Sequence, residues 1–209
     1  VVFDVGANIG LSALFFHWEA PGTRIFAFEP APVMHEALCR NLAAHGVNAA
    51  IYDCALGRAP GRARLVYYPL VTAMSSIYAE REHDAEVTRT FLINSGFDDA
   101  DVAELMEGRH VSDEVWCAVR TLSDVVAEAA VERIDLLKIN VEKAESDVLT
   151  GIEERDWPRI RQLVMQVHDI DGRVAEVERD LAGRGYEVAV DQDPLLARTD
   201  IFDLFARRA

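Results

Sequence analysis

The residues best suited to chemistry fall in three short stretches. The first is Asp4-Val5-Gly6-Ala7-Asn8-Ile9-Gly10, at the end of one apolar run and the start of another. Gly6 permits a tight turn and close backbone approach to a ligand, and Gly10 permits close helix–strand packing. Asn8 takes the central position of a G-x-G-x-G spacing, and asparagine tolerates a left-handed backbone best after glycine. Asp4, just before the turn, suits a ligand with an ammonium group and would sit badly beside a pyrophosphate. The second stretch is Phe28-Glu29-Pro30, where Glu29 stands at roughly the 20-residue offset of a ribose-binding acid. The third is Asp53-Cys54-Ala55, where Asp53 can accept from an adenine amino group while the backbone of Cys54 and Ala55 faces the ring. Each carboxylate alone reads equally as a cap or a turn residue. Asp4 and Glu29 together, at this spacing, describe a nucleoside-binding edge for a ligand such as S-adenosylmethionine, while Asp53 reads equally as a turn aspartate before Gly57.

A second set of residues could move a proton. His168 closes an apolar strand, and Asn140 and Glu142 close the strand before it, all at the edge where open α/β sheets bind ligands. An alcohol needs a general base to become a good nucleophile, and histidine is suited to that near neutral pH. The reading is His168 as base, Glu142 as its orienting partner or a substrate contact, and Asn140 as a hydrogen-bonding positioner. Lys138 lies mid-strand and needs a buried partner, either Glu142 or Asp4. Ser75, Ser76 and Tyr78 are polar residues in an apolar turn and are candidates to line a substrate pocket. Arg58, Arg62 and Arg64 form a compact basic patch, read as a solvated loop or as a greeting surface for an acidic carrier. His17, His35, His45, His83 and His110 read as solvated surface. Asp169 and Asp171 read as helix caps, and no metal site is expected.

The elements that position these residues alternate between strand and helix, which predicts a mostly parallel sheet covered on both faces. Strands are expected at 1–5, 24–29, 47–54, 115–120, 134–140 and 162–168, where apolar residues run nearly continuously. Helices are expected from Gly10, from Pro30 to His45, from the Thr121–Asp124 capping box to Ala130, over 145–154, and over 173–184. Two strands at 186–190 and 201–205 have no helix between them and should pair antiparallel. The stretch from about 69 to 115 breaks the alternation and reads as a helical insertion, either a lid or a peripheral decoration.

Composition narrows the partners. The chain has 209 residues, half of them apolar, with a net charge of −15. That length suits one domain, and the opening on Val1 inside a strand reads as the start of a piece cut from something longer. The acidic balance argues against nucleic acid as substrate. No apolar run reaches the ~18 residues of a membrane span. Three scattered cysteines point to reduced thiols and a cytoplasmic setting.

The Asp4–Gly10 turn with Phe28-Glu29-Pro30, the Ala55-Leu56-Gly57 turn and Leu137-Lys138-Ile139-Asn140-Val141-Glu142 resemble the FkbM-type methyltransferases. Asp147–Ile152, Asp156-Trp157-Pro158 and Val167-His168-Asp169 resemble a branch associated with polyketide and nonribosomal-peptide assembly. The resemblance covers nearly the whole chain. It implies a Rossmann-like class I methyltransferase fold with a seven-stranded sheet and an antiparallel C-terminal hairpin. It also implies S-adenosylmethionine as cofactor and O-methylation of a small or carrier-bound metabolite, by a domain free or embedded in a synthase. Two positions depart from the family pattern: Asn140 replaces an aspartate and Lys143 a glycine. Asn140 cannot ionise, which counts against metal-assisted or aspartate-base chemistry there. The competing readings are a nicotinamide-dependent oxidoreductase and a non-catalytic nucleoside- or carrier-binding domain. Transfer to nitrogen or carbon also stays open.

Overall fold

The computed structural model describes residues 1–208. Its strands are β1 (Val2–Val5), β2 (Ile25–Phe28), β3 (Ala49–Tyr52), β4 (Cys54–Leu56), β5 (Gly61–Tyr67), β6 (Asp113–Arg120), β7 (Leu136–Ile139), β8 (Gln162–His168), β9 (Tyr186–Asp191) and β10 (Ile201–Arg208). Its α-helices are α1 (Leu11–Glu19), α2 (Pro32–Ala44), α3 (Arg81–Asn94), α4 (Asp99–Met106), α5 (Leu122–Glu128), α6 (Glu145–Thr150) and α7 (Arg173–Gly183).

Seven strands form the main sheet in the order β3-β2-β1-β7-β8-β10-β9. All neighbours are parallel except β10, which runs antiparallel to both β8 and β9. The reversed strand is the expected C-terminal hairpin. β1 and β2 are buried on both faces, which is why they read as unbroken apolar runs. Phe3, Phe26, Leu137 and Ile139 are fully buried in one cluster with Leu122 and Val125 of α5 and Val148 of α6. The chain winds outward from β1 to β3 and then resumes on the other side at β7. That reversal opens a crevice between β1 and β7 at their carboxyl ends.

The capping box before α5 is present: the Thr121 side chain accepts from the Asp124 N–H, and the Asp124 carboxylate from the Thr121 N–H. The segment at 113–120 belongs to a separate three-stranded sheet, β4-β6-β5. The loop expected around Arg62 and Arg64 is instead β5, paired antiparallel with β6. The basic patch there is already partnered: Arg58 with Asp147, Arg64 with Glu114, and Arg62 over the Trp116 ring. The insertion holds a short 3-10 turn (Thr72–Met74), then α3 and α4. Among the described residues, no helix is long and apolar enough to cross a membrane.

Candidate active site

The crevice holds a cavity lined on one side by Gly6, Asn8, Glu29, Pro30, Cys54 and Ala55, and on the other by Thr72, Ser75, Ser76, Ile77, Asn140 and Glu142. The ends of β1, β2 and β7, the strand β4 and the insertion therefore supply its walls.

Gly6 has φ of 76°, and a Cβ there would lie 1.9 Å from the Asn140 carbonyl oxygen. The close approach expected toward a ligand is thus first an approach to the strand next door. Gly10, with φ of 92°, would drive a Cβ to 2.8 Å from Leu38 of α2. Gly10 and the buried Ala7 support the turn from behind, and neither lines the cavity. Asn8 adopts φ of 49°, the left-handed backbone anticipated for it. Asp4 is fully buried and stays below the turn. It accepts from the Ser12 hydroxyl at 2.5 Å and pairs with Lys138 at 2.9 Å. Lys138 also donates to the Gly6 carbonyl at 2.8 Å. Asp4 was expected to meet an ammonium group on the ligand; the cation it meets is Lys138, and its effect on the site is to brace the glycine turn.

Glu29 is buried on the cavity wall. One carboxylate oxygen accepts from the Asn8 N–H at 2.8 Å and the other from the Ala31 N–H at 2.9 Å. Burial raises its pKa, and the two backbone donors oppose that rise. A carboxylate has about four acceptor positions, so two donors leave room for a pair of ribose hydroxyls. Asp53 is exposed and off the wall, unlike Cys54 and Ala55 beside it. The chain bends between β3 and β4 there, which turns the Asp53 side chain to solvent. Burial pushes the Cys54 thiol up to about 11, so it contributes as a neutral wall group.

At the far end Glu142 and His168 meet, but in the opposite order to the expectation. Glu142 lines the cavity, and His168 lies behind it, 1% exposed. The imidazole stands between two carboxylates, with Nε2 3.0 Å from Glu142 and Nδ1 2.8 Å from Glu145. Glu145 in turn pairs with Arg173 at 3.0 Å. Burial alone would push His168 down, but hydrogen bonds and charges from the two carboxylates outweigh it and hold it at about 10. His168 is therefore held toward its imidazolium form and lies behind Glu142 rather than on the cavity wall, which counts against its expected role as a free base. Burial raises Glu142, with His168 opposing. A raised carboxylate facing the cavity is a stronger base than an ordinary one.

Of the residues expected to contact substrate, Ser75 and Ser76 line the cavity and Tyr78 does not. Tyr78 donates to Asp147 at 2.6 Å, on the side where Arg58 also binds that carboxylate. Ser76 donates to the Glu142 carbonyl, and Ser75 accepts from the Tyr68 N–H at 3.1 Å. Asn140 is exposed at the cavity edge. Behind the wall, Lys143 pairs with Asp84 of α3 at 2.8 Å, both buried. Asp84 also accepts from Tyr68. His110, expected on the surface, is buried within hydrogen-bonding distance of Thr88 and edge-on to Tyr68. Thr72, Glu145, Arg173 and Lys143 were missed. The sequence offered no distinct hint for Glu145, which opens a helix that also carries Asp147 in its first turn.

The turn settles what it can bind. Gly6 and Ala7 N–H both donate to the Phe28 carbonyl, Asn8 N–H to Glu29, and Gly10 N–H to the Ala7 carbonyl. A pyrophosphate turn needs such amides free to face the ligand. Among the described residues, no arginine, lysine or histidine lines the cavity, while two carboxylates do. That arrangement fits a sulfonium nucleoside and disfavours a nicotinamide dinucleotide.

Residues 4–188 match the Methyltransferase FkbM domain. The chain belongs to the FkbM methyltransferase family. Its cofactor is S-adenosylmethionine. It is 45% identical over its whole length to the 31-O-demethyl-FK506 methyltransferase FkbM of Streptomyces tacrolimicus, covering 80% of that protein. It is 35% identical, again over its whole length, to a part of the AMB antimetabolite synthetase AmbE of Pseudomonas aeruginosa, covering 10% of it. A solved structure of the methyltransferase FkbM from Methylobacillus flagellatus superimposes with a TM-score of 0.61 at 14% identity, over 98% of this chain and 42% of that one. That last likeness concerns the fold.

Proposed function

We propose that this methyltransferase acts on a neutral hydroxyl of a small or carrier-bound polyketide or peptide metabolite. The observation that carries the reading is Glu142, a buried carboxylate on the cavity wall with a fixed imidazolium behind it. The relatives support the metabolite class. One is named for an O-demethyl acceptor, and another carries the matching region within a synthetase. The negative wall supports a neutral acceptor, since a carboxylate or phosphate beside Glu142 would be repelled.

Held by Asn8 and Glu29, S-adenosylmethionine would supply an electrophilic methyl carbon, to which the acceptor oxygen would bond as the carbon–sulfur bond breaks and S-adenosylhomocysteine leaves as a neutral thioether. Glu142 takes the hydroxyl proton as that bond forms. His168 fixes the Glu142 carboxylate, and Glu145 and Arg173 hold the imidazolium in place, so alignment costs little at the moment of reaction. Glu29 would hold the ribose hydroxyls on the cavity wall. Asn140, at the cavity edge, positions the acceptor by hydrogen bonding.

The test is labelled methyl transfer from S-adenosylmethionine to hydroxyacyl thioesters, free and carrier-bound, by wild type and Glu142→Gln. Wild type should form the methyl ether. The variant should lose about 10²–10⁴-fold in turnover with its affinity for S-adenosylhomocysteine kept within a few-fold. Undiminished turnover in the variant would remove Glu142 as base. A product methylated on carbon or nitrogen would overturn the hydroxyl reading.

A further inference from the structure

The negative wall that suits a sulfonium creates a difficulty at the other end of the cofactor, whose amino-acid portion carries a carboxylate. Four amides of the glycine turn are spent within the protein, on Phe28, Glu29 and Ala7. Among the described residues no cationic side chain lines the cavity. Neutral donors on the cavity wall are what remain to meet the carboxylate.

The wall offers few of them. Ser76 already donates to the Glu142 carbonyl, on the acceptor side. Beside the glycine turn, Asn8 Nδ2 lies 3.2 Å from the Thr72 hydroxyl oxygen, and that hydroxyl lies 3.4 Å from Asn8 Oδ1. Both residues are half-buried, and both line the cavity. Asn8 belongs to the sheet edge and Thr72 to the 3-10 turn that opens the insertion. Their contact is the side-chain hydrogen bond that links the glycine turn to the insertion. The amide and hydroxyl satisfy each other in a long, exchangeable pair, and either can rotate its donor toward an anion.

We propose that Thr72 is a cofactor-binding residue: with Asn8 it forms a clasp that receives the cofactor's α-carboxylate, making the insertion part of the cofactor site. The inference rests on the cofactor assignment and goes beyond it. It gives the insertion a role distinct from acceptor binding. A threonine hydroxyl donating to a carboxylate is a charge-assisted hydrogen bond, and losing it costs about tenfold or more in affinity.

The experiment is calorimetry with two probes on wild type, Thr72→Val and Thr72→Ser. S-adenosylhomocysteine carries the amino-acid end, and 5′-methylthioadenosine keeps the nucleoside and thioether without it. Thr72→Val is nearly isosteric at a half-buried position and should fold. It should weaken S-adenosylhomocysteine about tenfold and leave methylthioadenosine within about twofold. Thr72→Ser should restore most of the loss. Unchanged S-adenosylhomocysteine affinity in Thr72→Val would overturn the clasp, as would an equal loss for both probes, which would mean that Thr72 only holds the insertion in place. Wild type that bound neither probe would instead bring down the cofactor assignment, and the clasp with it.

Discussion

Replacing His168 with glutamine should destabilise the protein and move its pH dependence from the alkaline to the acid side. In the wild type the imidazolium sits 2.8 Å from Glu145 and 3.0 Å from Glu142. Its pKa is raised from the ordinary 6.5, so its contribution to stability is fully present below that value and is lost as pH rises toward 10. At about 1.4 kcal/mol per pH unit, the window from 6.5 to 10 corresponds to roughly 5 kcal/mol. The same quantity can be approached from the other side. Breaking a buried ion pair by removing one partner costs about 3–5 kcal/mol, and here the loss leaves two buried carboxylates with only Arg173 to answer them. The two routes agree, and for a chain of 209 residues the loss corresponds to a fall in Tm of roughly 10–15 °C at neutral pH. The assay is thermal unfolding followed by circular dichroism from pH 5 to 9. Wild type should lose stability above about pH 7 through this group. His168→Gln should gain on acidification, because two like charges without a cation between them take up a proton. A variant within about 1 kcal/mol of wild type, or one with an unchanged pH profile, would refute the imidazolium bridge.

Two further outcomes follow from the same geometry. Glu29→Gln keeps the side chain's shape but replaces a carboxylate oxygen that accepts a backbone N–H with an amide donor. It should weaken S-adenosylhomocysteine by about tenfold or more, checked by calorimetry, and equal binding would take Glu29 out of the site. Lys143→Met strands the Asp84 carboxylate in the interior and should cost about 3–5 kcal/mol in chemical denaturation. Asp84→Asn combined with Lys143→Gly should recover part of that, because glycine accepts the φ of 63° at position 143 without strain.

Much of the fold was readable because the central strands β1 and β2 are buried on both faces, and burial leaves an apolar run whatever the neighbours do. β5 was not, since Arg62 and Arg64 hide a period-two pattern in which Ala63, Leu65 and Tyr67 face inward. Its side chains alternate across a one-sided sheet, and charge at the exposed positions masks the strand. The insertion's Thr72 carried no signal at all: a lone threonine gains meaning only when the fold sets it against Asn8.

At the site, the sequence located the carboxylates at the strand ends, but not which way each one turns. That depends on two backbone details. At Asp4 the strand is still fully buried, so its carboxylate can only be satisfied inward, by Lys138 and Ser12. After β7 the chain takes a left-handed step at Lys143, whose N–H donates to Glu145 at 3.0 Å. That step places Glu142 on the cavity side of His168 and Glu145 on the other. A histidine at the edge of a parallel sheet reads as a base when considered alone. With a carboxylate on each side it stays protonated at neutral pH, and in the proposed mechanism the proton-accepting role passes to the carboxylate that the backbone leaves on the cavity wall. The departure from the family's glycine at position 143 carries the same logic one step further. A lysine can tolerate this strained position because its ammonium reaches Asp84, so the kink that orients Glu142 is also tied to α3 of the insertion.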